Sequence, residues 1–309
     1  MTSAALANPI DHIIDLRIDV ETDNEVLGRQ TIAAWLLIPP SRKTNNLFVC
    51  LSGGGFSKRY FHSQFSGYRN YSFGHWMAEH GCAVLAIDHL GMGESAKPDV
   101  VEHLTKEVIA RCHDRVVGEV LARMDEGEWL TQKPEHILGI GHSMGAMVLI
   151  AQQAAYSTYD GIAVLGWTNI GVTDVDTDAL SFLAQNVGYL PSDRKMMRSM
   201  FHMEDVPLDV IEQDDVVAEL TPSPLAIDAL KPGIVANQAA QITKPVFLCF
   251  GERDISPDPD AEAAFYKSAP SVEFVRLENS AHNHNFSSVR TKLWRRLLEW
   301  AEAQEQQER

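Results

Sequence analysis

The sequence is poor in cysteine, in positive charge and in long apolar runs, and each shortage excludes something. Its four cysteines, Cys50, Cys82, Cys112 and Cys249, show no C-x-x-C or Cys/His spacing, so neither a disulfide framework nor a cysteine metal site is expected. Three of them lie in or beside apolar runs, where cysteine serves as a small buried hydrophobe. Lys and Arg number 26 against 42 Asp and Glu, a formal net charge of −16. Nucleic-acid binding needs clustered Lys and Arg to displace counterions, and anionic membranes attract the same residues. No nucleic-acid or membrane partner is therefore expected. No apolar run approaches the roughly 20 residues that span a bilayer. The start, MTSAALANPIDH, lacks the basic and apolar regions of a signal peptide. The expectation is a soluble, cytoplasmic protein.

What is present is ordinary in amount and ordered in pattern. Hydrophobic residues make up 45% and charged residues 22% of the 309, as in a globular protein. At about 150 residues per domain the length suits two domains, or one α/β domain with an insertion. Ile14, Leu16, Ile18 and Val20 alternate with Asp15, Arg17 and Asp19, the period of a half-buried strand. TIAAWLLI (31–38) follows a polar turn containing Gly28, which predicts an antiparallel hairpin. Six short apolar runs come next: 47–51, 83–87, 136–140, 162–166, 246–250 and 272–277. Runs of this kind suit strands buried on both faces of a parallel sheet. Between them, Val101, Leu104, Val108, Cys112, Val116, Val120 and Met124 recur at helical spacing, predicting one amphipathic helix over 101–124. Further helices are expected from near Met144 and over about 287–304. The alternation predicts an α/β fold with a doubly wound, mostly parallel eight-stranded sheet.

Residues 168–243 break the alternation. They offer no convincing strand and carry three closely placed prolines (Pro222, Pro224, Pro232), and the stretch is too long for a structureless loop. It reads as a helical lid inserted into a core formed by 1–167 and 244–309. Twelve of its residues are acidic and four basic, so it carries −8, half of the whole charge. An acidic lid would disfavour polyanionic substrates such as acyl-CoA. Within it Met196, Met197, Met200 and Met203, with Phe201, form an adaptable apolar surface. Met196, Met200 and Phe201, with Phe56 and Trp167, are candidates to line a hydrophobic substrate pocket. A helix packing one face on the core is the alternative.

The strongest local signal lies in HILGIGHSMGAMVLIAQQAA (136–155), where a strand meets Gly141-His142-Ser143-Met144-Gly145 and an apolar helix follows. This is G-x-S-x-G in its strand–turn–helix setting. A sharp turn there would lift the Ser143 hydroxyl above the sheet edge, with flanking glycines because side chains would collide with neighbouring backbone. The Met144 N–H, at the helix start, would face a developing oxyanion.

With these residues the chain resembles the α/β-hydrolase family, whose order is Ser, then Asp or Glu, then His. A serine hydroxyl needs a base, and the base an orienting acid. The resemblance places the acid at Asp254, after the strand VFLCF and Gly251-Glu252-Arg253, with Asp258 and Asp260 as alternatives. It places the base at His282, in the Ala281-His282 pair, with His284 as the alternative, otherwise a solvated loop residue. Ser52-Gly53-Gly54-Gly55-Phe56 resembles the family's His-Gly-Gly-Gly loop with serine in place of histidine, and implies a second oxyanion donor at Gly54 or Gly55. AIDHLGMGES (86–95) matches a turn of the family, with Asp88 bracing it. The implied activity is serine hydrolysis of a carboxylic ester or lactone of a neutral, fairly hydrophobic small molecule, with no metal or organic cofactor. The same triad also serves carbon–carbon bond hydrolysis, thioester hydrolysis and acyl transfer. Haloalkane dehalogenation would need a carboxylate in place of Ser143, and a non-catalytic ligand-binding protein would have no use for a triad. An oligomeric interface formed by the lid is left open.

Overall fold

The alternating segment near the start forms strand β1 (Ile13–Glu21), with Leu16, Ile18 and Val20 buried. It pairs antiparallel with β2 (Arg29–Leu37) from Ile13↔Leu37 to Glu21↔Arg29. Gly28, at φ +57°, turns the chain between them, a conformation that costs glycine little. The computed structural model describes residues 13–172, 188–192 and 194–307.

Strand β3 (Asn46–Leu51), helix α1 (Phe73–Glu79) and β4 (Ala83–Ile87) follow. Then come α2 (Lys106–Asp125), β5 (His136–His142), α3 (Met144–Tyr156) and β6 (Gly161–Leu165). After the insertion the chain forms β9 (Val246–Arg253), β10 (Val272–Ala281) and α8 (Arg290–Gln307). The eight strands make one sheet in the order β1-β2-β4-β3-β5-β6-β9-β10. Only β2 runs against its neighbours; the pairs β4–β3, β3–β5, β5–β6, β6–β9 and β9–β10 are parallel.

The period of two divides the core between the sheet's faces. Leu47, Val49 and Leu51 pack with α2 and α3, and Phe48 and Cys50 pack with α1 and α8. Helix α3 rides closely on β5, because that strand turns Gly139 and Gly141 toward it. A Cβ on Gly139 would stand 2.5 Å from Leu149 Cδ1, and one on Gly141 would collide with the Ala146 backbone. All four cysteines are buried.

Two sequence expectations are corrected. The periodic run 101–124 is not one helix: Val101–His103 form a 3-10 turn and α2 begins at Lys106. The break comes at Leu104 and Thr105, where the Thr105 hydroxyl caps the Val108 N–H at 3.4 Å; a hydroxyl at this position competes for the first helical donors. The insertion also contains strands. Tyr189–Pro191 (β7) and Leu220–Pro222 (β8) pair antiparallel, too short and too proline-rich to show a period.

The insertion's described helices are short: α4 (Arg198–Phe201), α5 (Leu208–Val216), α6 (Ser223–Asp228) and α7 (Ala236–Ala239). Leu225, Val235, Ala239 and Ile242 are buried in the same cluster as α2 and α3, so its last third lies along the core. Residues 1–12 and the acidic positions 174, 176, 178 and 193 lie outside the described residues. Of the eight described acidic residues in 168–243, five are in ion pairs: Glu204–Arg253, Asp214–Arg194, Asp215–Arg198, Glu219–Lys97, and Asp228 with Lys106 and Lys231. Lys97, Lys106 and Arg253 come from outside the insertion, so the field around it is weaker than its formal charge.

Candidate active site

Strand β5 delivers Ser143 at φ +54°, ψ −126°, a strained conformation for a residue with a side chain. The strain is held from several sides. The Ser143 N–H donates to Leu165 O at 2.8 Å, and its carbonyl accepts from Ala146 N–H at 2.8 Å. A Cβ on Gly145 would collide with the Leu51 and Ser52 carbonyls, and one on Gly53 would stand 3.0 Å from Ser143 Cβ. The turn therefore exists only where β3, β5 and α3 meet without side chains between them. Ser143 is half-buried, so its hydroxyl stays reachable, and the Met144 N–H opens α3.

Asp254 follows β9, and its side chain is fully buried. Its Oδ1 accepts from His282 Nδ1 at 2.6 Å and from Ile255 N–H at 2.8 Å, and its Oδ2 from Gly251 N–H at 2.8 Å. His284 Nε2 donates to the same Oδ2 at 3.0 Å. Burial alone would raise this carboxyl, but His282 and His284 hold it well below the usual carboxylate range. His284 is fully buried, which corrects the expectation of a solvated loop residue. Asp258 caps a 3-10 turn, accepting from Ala261 N–H at 3.3 Å, and Asp260 pairs with Arg276 at 3.2 Å; neither meets a histidine.

Because His282 gives its Nδ1–H to the carboxylate, its Nε2 is left with a lone pair. The ring is held by its surroundings. His142 lies 4.7 Å away, centroid to centroid, and donates from Nε2 to the His282 carbonyl at 2.8 Å. Phe201 stacks on the other side at 5.5 Å, and the His282 N–H donates to Met200 O at 3.0 Å. Burial, then the neighbouring His282 and His284, keep His142 neutral, well below the usual histidine value. His142, the residue before Ser143, thus links the turn to His282, and no hydrogen bond joins Ser143 to His282 in this structure. Such bonds are often long before substrate arrives.

The glycine loop after β3 divides its glycines. Gly53 is buried against Ser143, and the Gly55 N–H is taken by Thr221 Oγ1 at 2.8 Å. Gly54 is partly exposed, and its N–H has no acceptor among the described residues. Ser52, standing where the family has histidine, leaves the loop supported otherwise: Ser52 Oγ donates to Phe56 O at 3.3 Å and His89 Nε2 to Ser52 O at 2.8 Å. Asp88 accepts from the Lys58 N–H (2.7 Å), Lys58 Nζ (2.6 Å) and the Glu94 N–H (2.9 Å), tying this loop to the turn after β4.

The expected pocket residues separate. Phe56, Phe201 and Phe286 form one aromatic cluster beside His282, and Met200 is packed against it. Met196 is 77% exposed; it precedes α4, a single turn too short to present all five residues on one face. Trp167 follows Gly166, which touches the His282 ring, but is itself buried in the core, with Nε1 3.4 Å from Asn169 Oδ1. Thr221, Arg194 and His142 carry no sequence signal, since their contacts join residues far apart in the chain. Among the described residues no group of three His, Cys, Asp or Glu could hold a metal ion, and no helix is long and apolar enough to cross a membrane.

The model of the alpha/beta hydrolase family matches residues 48–291. No curated protein sequence matches the chain. Solved structures similar to it include a thermophilic esterase from Thermogutta terrifontis, 16% identical, with a TM-score of 0.69 over 94% of this chain and 99% of that one. A carboxyl esterase from Bacillus coagulans is also 16% identical, with a TM-score of 0.65 and the same coverage. A monoglyceride lipase from Saccharomyces cerevisiae is 12% identical, with a TM-score of 0.68 over 96% and 97% of the two chains.

Proposed function

The chain belongs to the alpha/beta hydrolase family, and from that premise we propose that it is a serine hydrolase cleaving a carboxylic ester or lactone of a neutral, fairly hydrophobic small molecule. The observation that carries this reading is the 2.6 Å bond between buried Asp254 and His282 Nδ1 beside the strained Ser143 turn. Likeness to proteins named as esterases and a monoglyceride lipase supports ester over other substrates. The aromatic cluster around His282 supports an apolar one.

In this mechanism Ser143 Oγ attacks the carbonyl carbon while His282 Nε2 takes its proton. Asp254 keeps the imidazole in the tautomer that can do so and stabilises the imidazolium. The Met144 and Gly54 N–H groups hold the tetrahedral oxyanion; preorganised donors of this kind are each worth about 10²–10³ in rate. The C–O bond then breaks, the alkoxide leaves with the proton from His282, and water, activated by the same base, releases the acid from Ser143. The insertion 168–243, whose described residues Met200, Phe201 and Thr221 touch the site, acts as its lid.

Replacing Ser143→Ala should abolish turnover with the fold unchanged by circular dichroism; more than trace activity would overturn the nucleophile assignment. The substrate class is tested with p-nitrophenyl esters of several chain lengths beside lactones, thioesters and β-diketones. Faster cleavage of a β-diketone, or of acyl-CoA over a neutral ester of the same acyl chain, would overturn the neutral-ester reading.

A further inference from the structure

A loop of three consecutive glycines is a poor place for a preorganised donor, because glycine has more backbone freedom to lose than any other residue. Gly53 is confined by the Ser143 turn, but Gly54 and Gly55 face away from the sheet. What confines them comes from the insertion, more than 130 residues further along the chain. The Gly55 N–H donates to Thr221 Oγ1 at 2.8 Å. The Gly55 carbonyl accepts from the Glu219 N–H at 3.0 Å and from Arg194 Nη2.

Both peptide groups flanking Gly55 are thereby fixed. The clamp is itself braced. Arg194 Nη1 binds Asp214 at 2.5 Å with both side chains buried, and its guanidinium lies 4.1 Å over the Phe56 ring. Thr221 is 4% exposed, and its Oγ1 would be 3.5 Å from a Cβ on Gly54. Ser192 presses on Gly55 so closely that a Cβ there would collide with it. Ser192, Arg194, Glu219 and Thr221 thus surround one glycine on its N–H, carbonyl and Cα sides.

We propose that Thr221 and Arg194 are positioning residues for the oxyanion hole: the insertion holds the Gly55 peptides so that the Gly54 N–H points where charge develops. The proposal rests on the serine-hydrolase reading and adds to it that the insertion takes part in catalysis as well as in substrate selection. Thr221 suits the task because its hydroxyl accepts the Gly55 N–H while its methyl group packs. Arg194 suits it because a planar fork reaches a carbonyl and a carboxylate together.

The test is Thr221→Val, which keeps shape and removes the acceptor, with Thr221→Ser as the conservative control. The valine variant should lower kcat about 10- to 100-fold, less than or comparable to loss of an oxyanion donor, with KM within threefold. Its affinity for a trifluoromethyl ketone of the same acyl chain should fall by the same factor, and serine should restore both. Arg194→Lys, which keeps the charge opposite Asp214 but not the fork, should shift kcat the same way by less. Amide hydrogen exchange at Gly55 reads the clamp without reference to activity: protection should be present in the wild type and lost in Thr221→Val. Lost protection with unchanged kcat and ketone affinity would overturn the proposal, as would unchanged protection. A wild-type protein inert to every ester would overturn the hydrolase reading instead, with Gly55 exchange still deciding whether the clamp exists.

Discussion

His284 shows how much one residue's role depends on where its neighbours lie. Two histidines reach the same carboxylate, His282 through Nδ1 and His284 through Nε2. His284 Nδ1 is buried without a partner, whereas His282 Nε2 is not among the sealed, unpartnered atoms. His284 therefore acts on Asp254 as a donor, sharing the carboxylate's charge and fixing its plane. In His284→Leu the carboxylate loses that donor and holds the His282 proton more tightly. The acid limb of the kcat/KM profile should move to higher pH, and kcat should fall about tenfold, less than the roughly 10²–10⁴ that acid–base catalysis contributes as a whole. His284→Gln, which returns an N–H near the same place, should restore the limb; an unmoved limb in the leucine variant would leave His284 a packing role alone. The strained strand–turn–helix at Ser143 was legible because G-x-S-x-G is a local arrangement. That both His282 and His284 would reach one carboxylate was not, since it depends on where Asp254 lies.

At the scale of elements, the loop after β3 and the turn after β4 are fastened by one buried pair. Lys58 Nζ, 2% exposed, lies 2.6 Å from fully buried Asp88 and 3.0 Å from Glu94. Removing one partner of such a pair leaves an uncompensated buried charge, at about 3–5 kcal/mol. Lys58→Met should cost that much in urea denaturation, and a double Lys58→Met, Asp88→Asn variant should recover part of it. Full single-variant stability would show that water reaches Asp88. The eight sheet strands were legible from their periods, as was α3. The 3-10 turn before α2 was hidden because its apolar residues continue the helical spacing of α2, and β7 and β8 because three residues carry no period. Their pairing is stabilised by tertiary contact, which overrides local propensity.

For the whole molecule, burial has made several histidines poor bases. His89, His113 and His142 are fully buried and lowered by desolvation, and His202 is lowered to about 4 by burial and then by Arg194 and Arg198. Unfolding frees them to bind protons near their ordinary value of about 6.5. The unfolded state then holds more protons, so stability must rise with pH through this range and fall below it. Asp214, raised to about 7 by burial against the pull of Arg194, works in the opposite direction. Four histidines against one carboxyl leave a net uptake of protons on unfolding near pH 5.5, and each proton is worth about 1.4 kcal/mol per pH unit. Urea midpoints should drop steadily from pH 7 to pH 5; a flat profile would mean that these rings are protonated in the folded state. Below about pH 4, protonation of unfolded Asp254 should add to the loss, since its folded carboxyl is depressed.

By itself the sequence determined the sheet, its mostly parallel direction and the strand–turn–helix around Ser143, because each rests on residues near one another in the chain. Alternation, apolar runs and glycine spacing act over a few residues and survive translation into a string. Only the tertiary structure decided the rest. It split Asp254 between two histidines, placed Met196 in solvent and Trp167 in the core, and committed the Gly55 N–H to Thr221, which leaves Gly54 open. It also paired most of the described acidic residues of the insertion with cations. These outcomes depend on distances between residues 17 to more than 160 positions apart, and no local pattern encodes a distance of that kind.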